Sequence, residues 1–131
     1  MSFEGYRALN SEPDQIDWML QFAGNGTGNP TTVEGSNKYF GKNVRSVVRT
    51  SIGLYTITYA DAPGNQIGFG YCFQAATPSS LAGFTGVFGN FDATGKIITF
   101  SVFNQAQALT DLTSTQTCSI IVAGKRAQAS I

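Results

Sequence analysis

The chain has 131 residues, with eight lysines and arginines balanced by eight aspartates and glutamates and no histidine. A chain of this length builds one domain, and folding buries roughly two thirds of the surface its unfolded form exposes, enough for a core without staples. Hydrophobic residues at 42% exclude a disordered composition, and charged residues at 12%, about half the ordinary share, provide no net positive field to hold nucleic acid by counterion release.

Residues 1–15 are polar, contain Pro13 and read as an extended arm ordered by a neighbour. Ile16 to Phe22 is apolar and aromatic beside a glycine-rich flank, which favours a strand over a short helix. Asn25 to Pro30 is a turn cluster of residues that tolerate or fix unusual φ. Thr31 to Gly41 continues as loop, with Tyr39 and Phe40 as an apolar patch. Val44 to Thr50 alternates, placing Val44, Ser46, Val48 and Thr50 on one face and Arg45, Val47 and Arg49 on the other. Leu54 to Tyr59 alternates more cleanly, Tyr55, Ile57 and Tyr59 against Leu54, Thr56 and Thr58, and Ser51 to Gly53 joins the two strands as a hairpin.

Asp61 to Asn65 reads as a turn with Pro63 and Gly64 at its centre. Ile67 to Ala75 is a third strand, aromatic and spaced by glycines, and Thr77 to Ser80 breaks it. In Leu81 to Phe91, Phe84, Phe88 and Phe91 fall at helical spacing. Gly83, Gly86 and Gly89 in the same stretch would each cost a helix about 1 kcal/mol, so an irregular strand or aromatic loop is the expectation. Asp92 to Gly95 is a turn, Lys96 to Phe103 alternates with Ile98, Phe100 and Val102 on one face, and Asn104 to Asp111 is a polar link. Thr117 to Ala123 is the last strand, with Cys118, Ile120 and Val122 opposite Ile121. The expected architecture is therefore all-β: a single-domain β-sandwich or jelly-roll-like barrel of short antiparallel strands over 16–124, with the arm at 1–15 and a tail at 125–131.

Reactive chemistry is sparse in this sequence. Without histidine there is no Ser-His-Asp or Cys-His nucleophile, and the commonest zinc ligand is missing. Cys72 and Cys118 alone fall short of a four-ligand zinc site. Each lies in an apolar run, so two buried thiols are expected rather than a disulfide. Asp14 and Asp17, three apart, would meet only on a helix, and a solvated face is the simpler use of both. Asn25, Gly26 and Thr27 fit the glycosylation pattern, but the N-terminus has no secretory layout. The same glycine-rich loop has no P-loop lysine to help it cradle an anion. Lys38, Lys42, Arg45, Arg49, Lys125 and Arg126 read as solvated charge at strand edges. No apolar stretch approaches the roughly 18 residues of a membrane helix. The expectation is a soluble protein made in a cytoplasm, with no enzymatic activity, cofactor or metal.

Three stretches carry a resemblance: Phe22 to Pro30; Ser46 to Thr58; and Gly95 to Asn104, followed by Ala108 to Leu112 and Cys118 to Val122. In order and spacing they span roughly residues 22–123, and together they resemble a group of small virion proteins of tailed phages, some of them head decoration or cement proteins. The chain departs from the group at its end, where Ala123 to Gln128 replaces an Asn-Ser-Ser type of ending. The resemblance implies a structural protein of the virion, assembled in the host cytoplasm, that binds the major capsid protein and itself, as a homotrimer ahead of a dimer, with no nucleic-acid or membrane partner. The candidate capsid or subunit contacts are Phe3, Tyr6, Trp18, Phe84 and Phe88. The rival expectation is a tail, baseplate or fibre module in which Trp18 and Tyr39 face a glycan.

Overall fold

The structure, a computed structural model, describes residues 15–32, 40–60, 63–92, 94 and 96–126. The arm before Gln15, with Phe3, Tyr6 and Asp14, and the tail after Arg126 lie outside the described residues, as do Lys38 and Tyr39.

Among the described residues, nine strands form two antiparallel sheets. In the larger sheet, β1 (Gln15–Ala23) pairs along one edge with β2 (Thr31–Thr32) and β3 (Phe40–Lys42). Its other edge pairs with β9 (Gln116–Arg126), which in turn pairs with β6 (Pro63–Ala75). The smaller sheet runs β4 (Val44–Ser51), β5 (Leu54–Tyr59), β8 (Ile97–Phe103), β7 (Thr85–Phe88). A 3-10 turn (Pro78–Leu81) follows β6. The sheets do not close into a barrel, so the fold is the sandwich.

Alternation decides what lies between the sheets. β1 contributes Trp18, Leu20 and Phe22, and β9 contributes Cys118, Ile120 and Val122. The facing sheet supplies Val47, Tyr55, Ile57, Tyr59, Ile98, Phe100 and Val102. Leu112, from the link between β8 and β9, fills one end. Burying each such apolar side chain contributes roughly 1.5–3 kcal/mol. Aromatic pairs add directional contacts: Trp18 meets Tyr59 edge-on at 5.7 Å, and Phe22 meets Tyr55 at 5.4 Å.

Four sequence expectations change. Val44 shares the inner face with Val47, because a bulge at Arg45 sets Val44 opposite Tyr59 and Ser46 opposite Thr58. Pro63 and Gly64 open β6 instead of centring a turn; proline is tolerated at the first position of a strand. Lys125 and Arg126 belong to β9, not to the tail. Thr31, Thr32 and Phe40 to Lys42, read as loop, are short edge strands. From β3 the chain turns into the second sheet at Asn43, whose φ of 64° is a conformation asparagine tolerates. Its side-chain amide donates to the Asp17 carbonyl at 3.2 Å.

Within the segment 81–91, Leu81 closes the 3-10 turn, Ala82 and Gly83 turn the chain, and Thr85–Phe88 is strand. Phe84, Gly86 and Phe88 alternate inward against exposed Thr85 and Val87, a period of two and not of 3.6. Gly86 is required here: a Cβ at this position would lie 2.2 Å from the Phe100 ring, which seats directly beneath the strand.

Two buried tyrosines make opposite predictions. The Tyr55 hydroxyl accepts the Leu112 N–H at 2.9 Å, whereas the Tyr59 hydroxyl is buried with no hydrogen-bond partner among the described residues. Tyr55→Phe is expected to lower unfolding free energy by about 1–3 kcal/mol, because a buried N–H is orphaned. Tyr59→Phe is expected to leave it unchanged or raise it by up to ~1 kcal/mol, since a desolvated hydroxyl is removed. Urea midpoints at constant m-value measure both.

Candidate interaction surfaces

Among the described residues, those singled out in the sequence do not come together in a reactive constellation. Asp17 lies on β1, a strand, so the helical spacing that would pair it with Asp14 does not apply to it. In the loop after β1, the Gly24, Gly26 and Gly28 amides donate to the carbonyls of Gln116, Leu112 and Asn25. The loop's glycine N–H groups are thus committed to the protein and not turned toward an anion. Asp92 forms a tight turn, exchanging backbone bonds with Ile97 while its carboxylate accepts the Thr94 N–H. Among the described residues no group of three His, Cys, Asp or Glu side chains is placed to hold a metal ion, and no helix is long and apolar enough to cross a membrane.

A strong electrostatic feature among the described residues is structural. Arg49 was expected as solvated edge charge; instead its Nε and Nη2 donate to the two Asp111 carboxylate oxygens at 2.8 and 3.0 Å. Asp111 also accepts the Gly53 N–H at 2.8 Å. The bidentate pair ties the β4–β5 hairpin to the β8–β9 link. Hydrogen bonding from Arg49, reinforced by Gly53, holds the Asp111 carboxyl below the usual carboxylate range, and the same contact raises the Arg49 guanidinium. Gly53 itself has a φ of 67°, and a Cβ there would press on backbone atoms of Thr110 and Val102 at 2.7–2.9 Å.

The cysteines part company. Both are free, but only Cys118 is buried; Cys72 is exposed. Register explains this: Phe73 opposes Cys118 on the inner face, whereas Cys72 opposes Ser119 on the outer one. Burial pushes the Cys118 thiol far up.

The described outer faces present exposed apolar side chains. On the larger sheet, exposed Met19 and Ile121 stand opposite one another in a cross-strand row that runs from Lys42 to Gly70. On the smaller sheet the outer positions of β5, β7 and β8 are Leu54, Thr56, Thr58, Thr85, Val87, Ile97, Thr99, Ser101 and Phe103, with no charge among them. At one side of the sandwich, β6 and β7 border an aromatic seam. Phe88 packs on Phe69 at 4.8 Å and on Phe100 at 5.0 Å, Phe84 on Phe73 at 6.1 Å, and Tyr71 on Phe100 at 5.4 Å. Phe69 is still 44% and Tyr71 38% exposed.

Among the expected contact residues, Trp18 is a core side chain, 1% exposed and locked against Tyr59, so it forms no surface contact and no glycan platform. Its place in the β1 alternation, in step with Leu20 and Phe22, was a readable sign of this. Phe84 and Phe88 are half-buried in the seam. Sequence reading overlooked Met19, Phe69, Tyr71, Val87 and Ile121; the first and last are the off-phase apolar residues of their strands. Comparison with family models, with curated proteins and with solved structures returns no match.

Two measurements follow. A folded sample treated with a maleimide is expected to take up one label, at Cys72, and an unfolded sample two, counted by intact mass. Asp111→Asn is expected to lower the melting temperature at neutral pH and to flatten the acid limb of the stability curve. The native carboxyl binds its proton at lower pH than the unfolded one. The stabilisation is therefore complete above the unfolded value of about 4 and fades as pH falls through the native value.

Proposed function

We propose that this protein is a non-enzymatic structural component of a tailed-phage virion, a decoration or cement protein that binds the outer surface of the head through the major capsid protein. The observation that carries this reading is a charge-poor sandwich that leaves large apolar side chains on both outer faces, Met19 and Ile121 on one and Val48 and Val87 on the other. Surface of that kind is what a subunit of an assembly covers. The ordered resemblance over roughly residues 22–123 and the absence of histidine point the same way. The rival tail or fibre reading loses one of its two glycan-facing side chains with the burial of Trp18.

In this reading the segment 81–91 contacts the capsid through its exposed outer residue Val87 rather than through Phe84 and Phe88, which serve the seam. The first test is quantitative mass spectrometry of purified virions. A copy ratio to the major capsid protein near one, or a simple fraction of it, is the expected result. A few copies per particle would move the protein to the tail or neck, and its absence would discard the reading. Val87→Glu is expected to weaken co-sedimentation with heads lacking the protein while leaving the melting temperature within a few degrees of the parent.

A further inference from the structure

The sandwich has four lateral edges, and their protection differs. The β1 side of the larger sheet ends in β2 and β3, strands of two and three residues. In the smaller sheet, β4 carries the exposed Arg45 and two irregularities of register, and its Arg49 N–H is already taken by Asn29 Oδ1 at 3.0 Å. β7 has only four residues, and its Gly86 N–H is already taken by the Tyr71 hydroxyl at 2.9 Å. Shortness, charge, bulges and capping are the devices by which proteins blunt sheet edges. β6 has them only in its first half, where the register shifts on either side of Asn65 and Gln66. From Gly68 to Ala75 it runs in unbroken register with Ala123 to Gln116. These eight residues, GFGYCFQA, include no charge and no proline. Among the described residues no strand pairs with their other side.

We propose that this edge, Gly68 to Ala75, pairs antiparallel with the same edge of a second copy about a two-fold axis at Tyr71, joining the two larger sheets into one. Charge is the first argument for this occupant. A two-fold sets each edge against a copy of itself, so β4 would bring arginine toward arginine, whereas the run on β6 carries nothing that repels its own image. Side-chain pattern is the second. In an antiparallel pair, opposed residues share a face. With the axis at Tyr71, Tyr71 meets its counterpart and Phe69 meets Phe73, all on the inner face, while Gly70 meets Cys72 on the outer one. Aromatic cross-strand pairs stabilise such a ladder. They would also cover Phe69 and Tyr71, which lie opposite the core residues Val122 and Ile120 yet stay partly exposed. The pairing closes on itself as a dimer, in place of the trimer expected from sequence, and requires nothing of the virion reading.

The test uses the isolated full-length protein. Sedimentation over a dilution series is expected to show a monomer–dimer equilibrium, with hydrogen exchange at Gly68 to Ala75 slowing as the dimer fills. A short bis-maleimide is expected to link two copies through Cys72, and Cys72→Ser to abolish the link. Cys72→Lys, at an exposed outer-face position, sets like charges near the axis and is expected to raise the dimer dissociation constant about tenfold or more without lowering the melting temperature. A monomer at every concentration with these amides exchanging freely overturns the proposal. So does a monomer in which they are protected until residues 1–14 are deleted, since the chain's own N-terminal segment then covers the edge. An oligomer indifferent to Cys72→Lys, with the edge unprotected, also overturns it, because another surface then carries the association.

Discussion

The sandwich is held shut at one end by a short stretch of the β8–β9 link, and the arrangement around it depends on that closure. Leu112 places its side chain in the core, donates its N–H to the Tyr55 hydroxyl of the smaller sheet and accepts the Gly26 N–H beyond β1 of the larger one. One residue earlier, Asp111 grips Arg49 and the Gly53 turn. Two sheets that share no strand are thereby fastened through one dipeptide. The close approach is possible because Gly24 has no Cβ: one there would overlap the Leu112 carbonyl.

At the opposite side of the sandwich the contact is softer. There β6 and β7 meet through aromatic rings, with a polar tie in which the Gly86 N–H donates to the Tyr71 hydroxyl. Edge-on and tilted ring contacts tolerate small displacements better than a bidentate ion pair does. The same side carries the long uncharged edge of β6 and its half-exposed rings. Rigid closure at one end thus stands beside apolar, hydrogen-bond-ready surface at one side.

The strands themselves were legible. The inner sets Tyr55, Ile57, Tyr59; Ile98, Phe100, Val102; and Cys118, Ile120, Val122 follow from alternation alone and are all buried, because a pleated strand repeats every two residues whatever it packs against. Alternation failed at Val44, where one inserted residue reverses the faces, and nothing in the side chains of Val44 to Val47 announces a bulge. The helical spacing of Phe84, Phe88 and Phe91 is outweighed by Gly83, Gly86 and Gly89, and an irregular strand is what forms there. Cys72 was misplaced because its neighbours are all apolar, so composition could not tell an inner from an outer position.

The sequence by itself determined the class of fold, the periodicity of its strands, the Gly53 turn and the lack of histidine chemistry, since these depend on local conformational preference and on which functional groups exist at all. Only the tertiary structure decided which strands stand at the edges, that Trp18 is sealed inside, that Arg49 is bound to Asp111 across 62 positions of chain, and that Gly68 to Ala75 is left without a neighbouring strand among the described residues. Those outcomes depend on how distant segments are brought together, and the pairing of two β-strands depends on register and order in space, which a pattern repeating every two residues leaves open.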